Sequence, residues 1–338
     1  MAQATGTHSR YDLQTSGENA VQDVHDIIIN IAPTETPFHT RFKKDKATNT
    51  YHEWLKDTLA TAVNNNARID GDEFSGATRV APARLGNHCQ ISRKDIIVSR
   101  RADKVKKFGR TDELGYEIAK AGKELKRDCE MSALANQAAV VGDDSNASRT
   151  AGLPAWIRTN DSRGAGGADP TLSSSTYGYP NAAATDGTDR ALSEITLLNT
   201  IRSAWTAGGN PSIIMVGPEL KQRMSNYLFN STRIATPYQD HGADRKKGAS
   251  LMGAVDYYVT DFGTMEIIPN RFQREDDVFI IDPEHVGIAY LDGYHTEELA
   301  KTGDANKRML ITDWAVFVRA EDSCGIVADI DESAAMVA

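Results

Sequence analysis

The sequence predicts a mixed α+β fold with one element standing off the body, and three stretches carry that reading. Between Thr111 and Val141 apolar residues recur at helical spacing over roughly 30 residues, ~45 Å at the helical rise. Before it, two strand-like stretches, 50–59 and 83–98, flank a centre too polar to enter a core. After it, residues 254–330 break into short apolar runs separated by turn residues, the pattern of an antiparallel or mixed sheet. No internal repeat is present.

From the start of the chain, residues 1 to about 20 hold few large apolar side chains among Gly, Thr and Ser. Such a segment buries too little apolar surface to offset its ordering entropy. Something else must hold it, and a neighbouring subunit is the simplest candidate. Val21, Val24, Ile28 and Ile31 then share one face of a short helix that stops at Pro33. Pro37 is expected to keep the chain extended before Phe38.

In the stretch 83–98, Leu85, Cys89 and Ile91 are expected on one face, with Arg84, His88, Gln90 and Ser92 on the other. The polar centre holds Asn64, Asn65 and Asn66 and the pair Asp70 and Gly71, all turn formers. The whole reads as a long two-stranded arm with a polar tip. An isolated ribbon is marginal in water, so a protein that makes one lays it on a partner.

Thr111 can cap the long helix, with Leu114 standing where a capping box wants Glu. Leu114, Ile118, Ala121, Leu125 and Cys129 form its apolar stripe, and Lys120, Lys123, Lys126 and Arg127 fall off it. Helices in globular domains average about 11 to 12 residues, so this one is long. From 142 to 190 the chain turns to Gly, Ser, Ala, Asp, Asn and Pro around Trp156 and Ile157, a connection of the functional or mobile kind. Residues 192–205 read as a helix opened by Ser193 or Asp189, and 212–216 as a buried strand. Residues 219–228 read as a helix with Pro218 at its first turn.

Composition bounds the function. The 338 residues make one large domain or two closely joined ones, of ordinary globular composition. A net charge of −9 and a pI near 5.4 argue against a broad nucleic-acid-binding face, leaving at most local basic contacts such as Lys104, Lys106 and Lys107. Cys89, Cys129 and Cys324 are odd in number and form no C-x-x-C pair, so neither a disulfide framework nor a zinc site is expected. The N-terminus lacks an apolar core for a signal peptide, and no stretch approaches the ~20 apolar residues of a membrane helix. A reducing cytoplasm, or something assembled there, fits best.

Catalytic spacing is missing. His52 and Glu53 open an H-E-x-x-H pattern, but Lys56 takes the place of the second histidine. Asn66, Asp70 and Asp72 hint at a calcium loop that Arg68 and Ala77 spoil. The glycine run 164–167 lies in a Ser/Gly loop, not between a strand and a helix. Lys301, Thr302 and Gly303 match the K-T-G of serine β-lactamases, whose companion S-x-x-K is absent. His8, His25, His39, His52, His88, His241, His285 and His295 are scattered and read as surface or packed residues. No catalytic, cofactor-binding or metal-binding residue is assigned, no cofactor is expected, and the chain is not expected to be an enzyme.

Several motifs point elsewhere. They are T-P-F at 36–38, Tyr51 and Trp54 ahead of Asp57, Thr58 and Leu59, and GLPAWIRTN at 152–160. The most specific are TDFGTMEIIPNR at 260–271, IIDPEHVGIAYLDG at 280–293 and LAKTGD at 299–304. In this order they resemble the HK97-type major capsid proteins of tailed phages, and among these the chain is similar to the SU10-type major head proteins. The resemblance covers nearly the whole chain. Only 161–190 match no motif, and those residues are expected to vary.

That resemblance implies an HK97-like capsid fold of five parts. An N-terminal arm would fall at 1–45 and the extended E-loop at 46–92. A peripheral domain would take 93–190 and 310–338, with its spine helix at 110–141, and an axial domain 191–309. It implies a structural protein that self-assembles into hexamers and pentamers, forming an icosahedral or elongated head around double-stranded DNA. Each E-loop would rest on a neighbour's spine helix and peripheral domain, in obligate interfaces on the order of 2,000–5,000 Å². Partners would be further copies, a portal, and scaffolding or decoration proteins, with loose proximity to DNA and no membrane. The location would be the virion, after assembly in the host cytoplasm. An acidic wall avoids the counterion-driven affinity that would hold packaged DNA fast.

With only about 45 residues ahead of the E-loop, too few for a fused scaffold, a separate scaffolding protein or none is expected, and no proteolysis. No Lys–Asn–Glu trio maps onto the family's crosslinking positions, so no covalent crosslink is expected. The alternatives are an encapsulin-like shell, a tail or decoration component, and an enzyme with an unrecognised site.

Overall fold

A computed structural model describes residues 34–73, 76, 81–107, 112–174, 178–231 and 256–337. Most of the expected N-terminal arm, its helix over 21–31, the capping Thr111, part of the ribbon tip and His8, His25 and His241 lie outside the described residues.

The elements run α1 (Pro37–Arg41), β1 (Lys43–Lys46), β2 (Tyr51–Lys56), β3 (Ala83–His88), β4 (Gln90–Ser99), α2 (Arg100–Lys104) and α3 (Glu113–Leu134). After them come β5 (Asp161–Ser162), β6 (Thr171–Leu172), β7 (Pro180–Ala182), α4 (Glu194–Thr206), β8 (Ile213–Val216) and α5 (Pro218–Ser231). The chain closes with β9 (Tyr257–Thr260), β10 (Gly263–Pro269), β11 (Val278–Ile281), β12 (Val286–Glu298), β13 (Ala305–Val318) and β14 (Gly325–Val327).

Two sheets organise the molecule. A four-stranded sheet in the order β1-β12-β13-β4 is antiparallel except at β1. One face of it packs α3, whose Ala121, Leu125, Cys129 and Ala133 are buried in one core with Ile96, Val98, Leu310 and Trp314. A six-stranded sheet in the order β5-β14-β11-β8-β10-β9 is mixed, with parallel pairs at β5/β14 and β8/β10. All four residues of β8 and of β11 are buried, as the run SIIMV predicts for a central strand. A second core joins this sheet to α4 and α5 through Leu197, Ile201, Leu220 and Met224.

Several sequence expectations are corrected. Pro37 does not hold an extended chain but starts α1, where its missing N–H is no loss. The long helix is capped by Asp112, which accepts from Leu114 N at 3.0 Å, and it ends at Leu134 rather than Val141. It has 22 residues, ~33 Å. Beyond it Asn136 and Gln137 spend their side-chain amides on Ala184 O, Ser132 O and Thr150 O, tying the chain into loops that a continued helix would leave unbonded. The stretch 83–98 is two strands, because at Cys89 the chain leaves β2 and joins β13. Its expected single face therefore fails: Leu85 and Cys89 are buried while Ile91 is exposed.

The expected division at 309/310 falls within a single strand. β13 is one continuous strand through that point, laddered to β12 and β4, while β14 pairs with β11 in the other sheet. An apolar run does not name its partner strand, so the sequence could not place this boundary. The connection 142–190 holds core rather than open loop, for Leu153, Ala155, Trp156 and Ile157 are buried.

Candidate assembly surfaces

The ribbon begins as six antiparallel pairs, from Tyr51 opposite His88 to Lys56 opposite Ala83. Its base is anchored on the body. Trp54 packs on Trp156 at 5.2 Å and on Phe317 at 6.5 Å between ring centroids, and Leu85 is buried. Lys56 reaches Asp322, and Arg84 pairs with Glu53. Burial lowers the pKa of His52 and of His88, holding both rings neutral against the aromatic packing. Asn87, fully buried, fastens β3 to the body: its amide donates to Thr150 Oγ1, Ala151 O and Val316 O, and it accepts from Ala151 N.

Beyond the paired base, every residue from 57 to 73 is exposed. The loop nevertheless carries Leu59 at 99% exposure, Ile69 at 83% and Val63. A soluble monomer gains nothing by holding three large aliphatic side chains in water on one extension. Asp70, Asp72 and Glu73 stand beside them, and Gly71 takes φ +80 at the turn.

Two further surfaces have the same character. The face of the four-stranded sheet away from α3 shows Ile91 and Ile97 largely to solvent, beside half-buried Met309 and Ile311. On that face β12 bulges at Asp292, and Asp313 opposite is raised in pKa by burial and by the Asp292 charge. His295, 3.5 Å from both Asp292 and Glu297, is raised chiefly by its bond to Gly293 O. At the rim of the six-stranded sheet, β9, the edge strand among the described residues, shows Tyr257 and Val259, with Trp205 and Phe262 in contact nearby. Unpaired strand edges are templates for another chain.

The residues that the sequence singled out for chemistry are not brought together. His52 and Glu53 point to opposite sides of β2, the triplet 301–303 is the turn between β12 and β13, and 164–167 is a loop whose Gly164 N donates to Asp329 Oδ2. Burial pushes the thiols of Cys89 and Cys324 up to about 12 and that of Cys129 to about 11, leaving them no thiolate near neutral pH. Among the described residues no group of three or more His, Cys, Asp or Glu could hold a metal ion, and no helix is long and apolar enough to cross a membrane.

The model of the family described as SU10 major capsid protein matches residues 3–331. The chain belongs to that family. The major capsid protein of Escherichia phage Phieco32 is 29% identical over 316 residues, which cover 83% of this capsid protein and 86% of that relative. Among solved structures, the capsid asymmetric unit of cyanophage A-1(L) matches with a TM-score of 0.61 at 14% identity, over 94% of this chain and 99% of that one. Microbacterium phage Oxtober96 follows at 0.57 and 12%, over 95% and 98%. The SrpI encapsulin of Synechococcus elongatus shares the fold at 0.53 and 8%, over 97% and 98%. The capsid protein thus has the HK97-like fold that its motifs implied.

One node of this capsid protein went unread in the sequence. Glu130, with no exposed surface, accepts from Phe38 N (2.7 Å), His39 N (3.0 Å), His39 Nδ1 (2.7 Å) and Asn270 Nδ2 (2.7 Å). It joins α1, α3 and the end of β10, and so both sheets. The available signal was a Glu directly after Cys129 of the apolar stripe.

Proposed function

We propose that this chain forms the head shell of its phage by self-assembly into hexamers and pentamers that enclose double-stranded DNA. The observation that carries the reading is the loop 57–73, wholly exposed on the single chain yet carrying Leu59, Val63 and Ile69. In a shell this loop is the E-loop and lies on a neighbouring copy. The half built on α3 and the four-stranded sheet takes the peripheral role, with α3 as the spine helix. The half built on the six-stranded sheet takes the axial role, and the N-terminal arm lies within residues 1–45.

A portal and scaffolding or decoration proteins complete the list of partners. Assembly takes place in the host cytoplasm, and the protein is carried in the virion as structure rather than as an enzyme. The shell is held without covalent crosslinks. Boiling purified shells in SDS then gives a single-chain band, 36.9 kDa for these 338 residues, and no ladder of higher bands.

The test is expression of the chain alone, followed by size-exclusion chromatography with light scattering and negative-stain microscopy. Hexagonal capsomers, tubes or closed shells support the reading. A compact monomer that stays monomeric at every concentration, with and without a scaffolding protein, contradicts it.

A further inference from the structure

A hollow of about 300 Å³ opens where α1, β1, α3 and β12 meet, and Lys44, Lys126, His39, Tyr290 and Tyr294 line it. Both lysines are exposed, and among the described residues neither has an ion-pair partner; the Lys126 ammonium lies 6.0 Å from the Tyr294 ring centroid. His39 closes the hollow from within. Its Nδ1 donates to Glu130 Oε2 at 2.7 Å, which leaves Nε2 buried and without a partner. No carboxylate lines the hollow, and Glu130, behind His39, is occupied by its own four donors. Two ammonium groups beside two phenol rings, with no carboxylate in the lining, make a receptor for an oxyanion. In a chain of net charge −9 such a concentration of unpaired positive charge is unusual.

The complement is on the ribbon. Asp70, Asp72 and Glu73 are exposed beside Ile69, and among the described residues none has an ion-pair partner. We propose that the hollow receives a carboxylate from the acidic tip 70–73 of a second copy's loop, held between the ammonium groups of Lys44 and Lys126. The proposal rests on the shell reading and names the receiving site for the loop. Charge pairing at such a site selects partner and register as well as adding affinity.

The test uses shells assembled from a mixture of unlabelled and heavy-nitrogen chains. A carbodiimide joins a carboxylate to an ammonium only where the two are in contact, and mass spectrometry of the digest reads the isotopic origin of each half. Expected are links from Lys44 or Lys126 to Asp70, Asp72 or Glu73 that mix light and heavy peptides. Reversing both hollow charges, Lys44→Glu with Lys126→Glu, abolishes the links and lowers the yield of shells about tenfold, as loss of a specific charge pair does. Adding Asp70→Lys and Asp72→Lys to that variant restores the yield. Normal shells without these links, links confined to one chain, or hollow lysines joined instead to residues ahead of Thr36 overturn the proposal and leave the shell reading standing. A chain that never assembles overturns both.

Discussion

Glu130 and Asp277 show how two buried acids are handled in opposite ways. Glu130 is surrounded by four donors, so its charge replaces lost hydration with directed hydrogen bonds. Replacing it by Ala leaves those donors buried and unpaired, and Glu130→Ala costs about 3–5 kcal/mol, read as a fall in the midpoint of chemical denaturation. Asp277 is 1% exposed, neither of its oxygens has a hydrogen-bond partner, and the nearest cation, Arg274 Nε, is 3.7 Å away. Burial pushes its pKa up to about 7 against the pull of Arg274. The folded chain therefore holds this proton more tightly than the unfolded chain, whose Asp titrates at about 4. The stabilisation is full below pH ~4 and is lost as the pH rises through about 7, on the order of a few kcal/mol in all. Denaturation midpoints of Asp277→Asn across that range lose this slope. Neither residue was legible in the sequence, because a buried acid is defined by partners far along the chain, 92 and 140 residues away in the case of Glu130.

Elements were read best where one periodicity rules. The stripe of α3, the apolar strand β8 and the helix beginning at Pro218 all follow from spacing and capping that the local sequence carries. Reading failed where a partner decides. Nothing local says that the chain changes sheets at Cys89, or that Asn136 and Gln137 would end a helix by bonding to loops 13 to 48 residues later. The ribbon was legible as a ribbon, yet its anchoring on Trp156 and Phe317 was not. Trp54→Ala removes that anchor and costs about 2–4 kcal/mol, less than a fully buried Trp because Trp54 is only half-buried. Beyond the anchor, amides of 57–73 exchange freely in the separated chain and become protected by at least tenfold on assembly, measured by hydrogen exchange with mass spectrometry. Replacing 59–72 with a two-residue turn leaves the body folded, by circular dichroism, and abolishes assembly.

At the scale of the whole molecule, the order of motifs was enough to place the chain among HK97-type shell proteins, whereas the division between its halves needed the sheets. β12 and β13 run with the long helix, and β14 returns to the other sheet, so the chain crosses between the halves more often than a linear reading allows. Glu130 and the turn of chain at Thr36–Phe38 sit at that crossing, which fixes the two halves as one unit for assembly. Its exposed faces are then the ribbon loop, the outer face of β4 and β13, and the β9 edge. The most direct measurement is a cryo-electron reconstruction of assembled particles, read at Leu59, Val63 and Ile69. Burial of all three against a neighbouring copy is the result this account predicts. A shell in which the loop faces solvent, or folds back on its own subunit, would contradict it.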